Sequence, residues 1–200
     1  MFFNNSFILA STSKSREKIL KQNKLSFSKA KPICDESKLK KKLIKNKTTI
    51  KNISLELARL KSLSVSVKKK NILVVGSDTT ISLNNLLLSK AKNTKEAKEK
   101  LLKMSGKTHE IYSSASVYYN GKEVWKSTQK TTVKIRKLTK KELDLYLAKA
   151  GSNILKSVGC YQIEKLGPSV IEYIRGDFFN VMGFPLFPFL KFLKKSNIKK

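Results

Sequence analysis

The run ILVVGSDTT, residues 72–80, restricts the fold more than any other stretch. Residues 72–75 are apolar without alternation, the mark of a strand covered on both faces, and such strands belong to sheets flanked by helices. The strand reads as ending at Ser77, which puts Asp78 at its carboxyl end. Ligands of α/β sheets bind there. An Asx-turn that only closes the strand is the plainer reading of the same residue, and position alone does not separate the two.

The rest of the chain supports an α/β reading. Phe7, Ile8, Leu9 and Ala10 form a short apolar strand, and residues 11–13 offer N-caps for a helix whose apolar edge is Ile19 and Leu20. Residues 25–36 read as a second strand running into an acidic loop at Asp35-Glu36. The lysine run 38–51 reads as a solvated loop or frayed helix. Residues 53–65 carry helical spacing through Ile53, Leu57, Leu60 and Leu63. A hairpin is expected about Asn84-Asn85, and a helix over 94–104 opening with Asn93 and Glu96 as a capping box. Residues 108–135 form a second hairpin turning at Asn120-Gly121. A helix over 138–151 follows, with Thr139 and Glu142 as capping box and Gly151 as stop. A loop at 157–168, a strand at 168–176 and a C-terminal helix with a Phe/Leu face complete the chain. Strands and helices interleave without repeats or linkers, which predicts one domain over residues 1–200.

Charge is the unusual feature. Lys and Arg total 43 against 14 Asp and Glu, a formal charge of +29. Only four of the cations are arginine (Arg16, Arg59, Arg136 and Arg175), and the lysines are spread along almost every segment. Nucleic-acid readers favour Arg for bidentate contacts, so drift toward A/T-rich codons is preferred to a dedicated nucleic-acid surface, and a nucleic-acid partner is not expected. The field still draws anionic ligands in. Cys34 and Cys160 form no disulfide framework or metal spacing, and a small buried thiol is the reading for each. No signal peptide or membrane span is read, so the expectation is a soluble cytoplasmic chain without a membrane partner.

Two stretches hold the chemistry. Asp78 is the first. In the second, LASTSKSR, a strand enters a hydroxyl-rich turn at a helix N-terminus, where free N–H groups and the helix dipole favour an anion. Arg16 lies in that first turn, where the dipole disfavours a cation, and a bound anion would offset this. The bland reading is a serine cap beside a surface arginine. His109, the single histidine, reads as structural.

Taken together these motifs resemble the Maf family of nucleotide pyrophosphatases over essentially the whole chain. The family's LAS-x-S-P-R-R is matched at residues 9–16, its D-E at Asp35-Glu36 and its LA-x-x-K at residues 57–61. G-[AS]-D-T falls on Gly76-Ser77-Asp78-Thr79 and G-K-P on Ser89-Lys90-Ala91. L-S-G-x-x-H lies at 104–109, G-A-Y-x-I-[QE] at 159–164, and the closing G-D-[YF]-[YF]-x-V-x-G-[LF]-P at 176–185.

The resemblance implies a single α/β domain with a mixed, elongated, twisted sheet flanked by helices. It also implies hydrolysis of a nucleoside triphosphate between the α and β phosphates with a divalent cation, Mg²⁺ or Mn²⁺. Asp78 would be the catalytic carboxylate, taking the proton of the attacking water or holding the metal, and Glu36 would share the metal. Ser11, Ser13 and Arg16 would cradle phosphates, while Lys61 and Lys90 neutralise developing charge. Thr79 and Gln162 match positions associated with base selection. Ser15 does too, but Lys14-Ser15 replaces the family's Pro-Arg, which leaves dTTP, UTP, 7-methyl-GTP or a broad range open. Family relatives suggest a homodimer. The alternative is an inactive basic protein that binds nucleic acid or a division partner.

Overall fold

A computed structural model describes residues 6–196. In chain order the elements are β1 (Phe7–Ala10), α1 (Lys14–Gln22), β2 (Phe27–Ala30), α2 (Glu36–Lys45), α3 (Ile50–Ser66), β3 (Leu73–Leu83) and β4 (Leu86–Leu87). They continue with α4 (Thr94–Met104), β5 (Thr108–Tyr119), β6 (Lys122–Ile135), α5 (Lys140–Ala150), β7 (Ile171–Arg175), α6 (Phe178–Met182) and α7 (Leu186–Lys195). The strands form one mixed sheet in the order β2-β1-β3-β5-β6-β7, with β4 beside β3. β1 is parallel to both β2 and β3, whereas β4 on β3 and β7 on β6 are antiparallel. The α/β class with a mixed sheet flanked by helices is therefore as expected.

The chain forms two compact units. The first comprises the described residues through Thr79, with Tyr112–Gln129 and those from Gly183 on; the second comprises Thr80–Ile111 and Lys130–Met182. No linker marks this division because β3, β5 and β6 each contribute residues to both units.

In the first unit the core strands β1 and β3 are covered by α3 and by α7. Leu186, Phe189 and Leu193 are the buried face of α7, and the Phe189 ring meets Phe7 and Phe184 edge-on at 5.1 and 5.3 Å. In the second unit Leu101, Met104, Ile111, Val133, Ile135 and Leu143 form the centre of the core. His109 is buried there, its Nε2 2.7 Å from Tyr161 Oη, which bears out a structural histidine.

Turn chemistry was legible. Asn84 and Asn85 (φ 50° and 62°) turn β3 into β4, and Asn120 and Gly121 (φ 48° and 79°) turn β5 into β6, the positive-φ pairs that a two-residue hairpin needs. Thr139 and Glu142 form the full capping box of α5. At α4 the box is shifted: Asn93 accepts from Glu96 N, but the Glu96 carboxylate reaches Lys92 N.

Several expectations are corrected. β3 does not stop at Ser77 but runs through Asp78 to Leu83. The second strand is only four residues, and Asp35-Glu36 is no loop: Asp35 caps α2, accepting from Lys38 N at 2.9 Å, and Glu36 is its first residue. The lysine run, read as a solvated loop or frayed helix, is the unburied helix α2, a short turn over 46–49 and the start of α3. No residue of α2 is buried, so apolar spacing had nothing to report. Cys34 is half-buried rather than buried.

Candidate active site

β3 outlasts its neighbour. The parallel pairing with β1 ends at Ala10 opposite Gly76, so Ser77, Asp78 and Thr79 continue past the point where β1 turns into α1. The rule that ligands gather at carboxyl ends of parallel strands is therefore met by β1, with Asp78 brought alongside from mid-strand. Strand alternation then sorts the side chains. Gly76 and Asp78 face α3, while Ser77 and Thr79 share the other face.

Helix α3 comes unusually close. A Cβ on Gly76 would lie 2.5 Å from Ala58 O and 2.6 Å from Ser62 N. The buried stripe of α3 contains Ser54, Ala58, Ser62 and Ser66, one small residue every four. Ser62 Oγ accepts from Gly76 N at 2.6 Å and lies 2.6 Å from Ser116 O, fixing helix to sheet. Lys61 sits on this same stripe, which turns its ammonium toward the sheet.

There Lys61 Nζ donates to Asp78 Oδ1 at 2.6 Å and lies 2.9 Å from Glu36 Oε2. Its side chain is only 8% exposed. A cation so poorly solvated is tolerated because two carboxylates accompany it, and the α2 cap supplies one of them by placing Glu36 at the first helical position.

Ser13 caps α1, its Oγ accepting from Arg16 N. The Arg16 guanidinium turns back into the site, donating from Nε to Gly183 O (2.9 Å), from Nη2 to Thr79 Oγ1 (3.2 Å) and from Nη1 to Ser11 Oγ (3.4 Å). Burial pulls this guanidinium below its ordinary value, with Asp78 and then Glu36 pushing it back. The Gly183 carbonyl also accepts from Ser77 Oγ at 3.2 Å, and Ser113 Oγ lies 2.9 Å from Thr79 Oγ1. Gly183 itself has φ 106°, and a Cβ there would press Thr79 Oγ1 at 3.2 Å.

The structure thus gathers Ser11, Ser13, Arg16, Glu36, Lys61, Asp78 and Thr79 in the first unit. Ser15 occupies the second position of α1, half-buried. Lys90 and Gln162 belong to the second unit. Lys90 is exposed, and the Gln162 carbonyl accepts from Lys165 N and Gly167 N. Ser113 was missed, and Ser77 and Gly183, though inside matched motifs, were given no role, since only tertiary packing brings them together around Thr79 and Arg16. The small-residue spacing of α3 was a signal that apolar periodicity overlooked. Burial first, then Glu36, push the Cys34 thiol above its ordinary value.

The donor set suits a hard cation shared with a ligand. Among the described residues no three of His, Cys, Asp and Glu converge as a metal cage. Mg²⁺ is commonly held by one or two carboxylates plus substrate phosphates, and Glu36 with Asp78 meets that requirement.

The sequence pattern of the Maf-like protein family matches residues 6–196. The chain belongs to this family. Among curated Maf relatives, a nucleoside triphosphate pyrophosphatase of Caulobacter vibrioides is 35% identical over 186 residues, 93% of each chain. A 7-methyl-GTP pyrophosphatase of Bartonella quintana is 36% identical over 194 residues, 97% of each chain. A nucleoside triphosphate pyrophosphatase of Pelagibacter ubique is 36% identical over 187 residues, 94% of this Maf chain and 96% of its own. No helix among the described residues is long and apolar enough to cross a membrane.

Proposed function

We propose that this Maf protein hydrolyses a nucleoside triphosphate between its α and β phosphates, releasing a nucleoside monophosphate and pyrophosphate. The observation that carries the reading is the Lys61 ammonium shared by Glu36 and Asp78 beside the anchored Arg16. The names of its Maf relatives support the same reaction class.

In this reading Arg16, with the serine hydroxyls at the start of α1, binds the phosphate chain. Water attacks phosphorus, the anhydride P–O bond breaks, and its electron pair leaves on pyrophosphate. Asp78 takes the proton of the attacking water. Lys61 and Arg16 stabilise the charge that moves onto the phosphate oxygens. Glu36 and Asp78 would hold Mg²⁺ or Mn²⁺, which when bound supplies further charge neutralisation on the phosphates. Ser15 and Thr79, with Lys90 and Gln162 of the second unit, keep their proposed parts in base selection and phosphate binding. The cellular role would be clearance of non-standard or surplus nucleotides.

The test is pyrophosphate release from dTTP, UTP, 7-methyl-GTP and the remaining common triphosphates, with Mg²⁺ or Mn²⁺ and with chelator. Cation-dependent release from one or more supports the reading. No release from any of them by folded protein overturns it.

A further inference from the structure

In the first unit Lys61 bridges Glu36 and Asp78, and Arg16 is bonded to Thr79, the residue after Asp78. Lys61 serves both carboxylates at 2.9 and 2.6 Å, and Arg16 experiences the charge of both. The one ammonium occupies an oxygen of each carboxylate. A site that holds a divalent ion unaided does the reverse: it gathers surplus anionic oxygens and keeps other cations out. Here a lone dication would meet the Lys61 ammonium, which is 8% exposed and already lodged between both carboxylates.

We propose that this cluster accepts a divalent cation and a polyphosphate only as a pair. In the resting protein Lys61 is the cation of the two carboxylates. An arriving phosphate chain offers new acceptors to Lys61 and Arg16, whose donors suit phosphate oxygens. That releases Glu36 and Asp78 toward the metal and brings the negative charge that the metal needs. Neither ligand binds well without the other, and by linkage each tightens the other by the same factor. The inference rests on the nucleotide reading above, but concerns binding order rather than chemistry.

The experiment follows free Mn²⁺ by electron paramagnetic resonance during titration of the full chain, with and without inorganic pyrophosphate. Concentrations are corrected for the soluble manganese–pyrophosphate complex. The expected result is weak binding of Mn²⁺ alone and at least about tenfold tighter binding with pyrophosphate. Lys61→Met, which removes one opposing cation, is expected to bind Mn²⁺ alone more tightly than wild type and to show a smaller pyrophosphate effect. Equal Mn²⁺ affinity with and without pyrophosphate, or weaker Mn²⁺ binding by a folded Lys61→Met, overturns the proposal. The wild-type comparison decides by itself if that variant fails to fold. Turnover is not read at any point. Paired binding without hydrolysis would sink the enzymatic reading alone, and hydrolysis with tight independent metal binding would sink the pairing alone.

Discussion

At the scale of single residues, Asp78 and His109 represent two opposite ways of handling burial. The Asp78 side chain is 15% exposed and accepts from Lys61 at 2.6 Å, a placement suited to a positioned proton acceptor. Asp78→Asn keeps the shape and removes the charge, while Glu36 still accompanies Lys61. Pyrophosphate release is expected to fall by about 10²–10⁴-fold with the circular dichroism spectrum unchanged. A folded variant near the wild-type rate would remove Asp78 from this role. His109 lacks a charge partner: its Nδ1 has no hydrogen bond among the described residues, and burial drives its pKa down to about 4. The folded state therefore binds the proton less readily than the unfolded state, whose value is near 6.5. Stability from this residue is complete above about pH 6.5 and is lost as pH falls toward 4, an effect on the order of 3 kcal/mol. Urea midpoints across that window should slope steeply in wild type and flatten in His109→Phe. Equal slopes would exclude His109 as the source.

At the scale of elements, the approach of α3 to β3 sets the distance between Lys61 and Asp78. Gly76→Ala places a methyl against backbone atoms Ala58 O and Ser62 N, neither of which can rotate away. The helix must move, which costs about 1–3 kcal/mol as overpacking does, and carries Lys61 with it. Loss of pyrophosphate release together with a lowered urea midpoint is expected. Unimpaired activity and midpoint would show that this contact has slack. The same contact explains which parts of the fold were legible. Caps and turns depend on neighbours in sequence, so Ser13, Thr139, Asn84-Asn85 and Asn120-Gly121 could be read directly. The face of α3 could be read only in part. Apolar spacing chose Ile53 and Leu57, which are buried, but also Leu60 and Leu63, and Leu63 is 37% exposed; the rest of the buried stripe includes Ser54, Ala58, Ser62 and Ser66. Close approach favours small residues, whose bonds to Ser114, Ser116 and Gly121 exist only after folding. Asp78 was singled out as the end of its own strand, whereas the strand that ends beside it is β1. Gly183 lies in the closing motif, but that its carbonyl holds Arg16 from 167 positions away could be seen only in the folded chain.

At the scale of the whole molecule, +29 of formal charge raises the question whether the lysines act collectively or merely solvate the surface. Helix α2 favours solvation, since it carries six consecutive positions of mostly lysine and leucine with nothing buried. Pairing consumes few of the cations, because only 14 carboxylates exist to meet 43 of them. The uncompensated remainder produces a positive potential regardless of its origin, and a triphosphate is an anion that such a field accelerates toward the protein. The effect acts on encounter and not on the bound complex. Raising ionic strength from about 0.05 to about 0.5 M contracts the screening length to a few ångströms, so kcat/KM for the preferred triphosphate should fall about tenfold or more while kcat changes little. A parallel fall in kcat would place the salt effect inside the site, on Arg16 and Lys61. A flat kcat/KM would mean that the lysines are passive, and that charge at the site alone recruits the substrate.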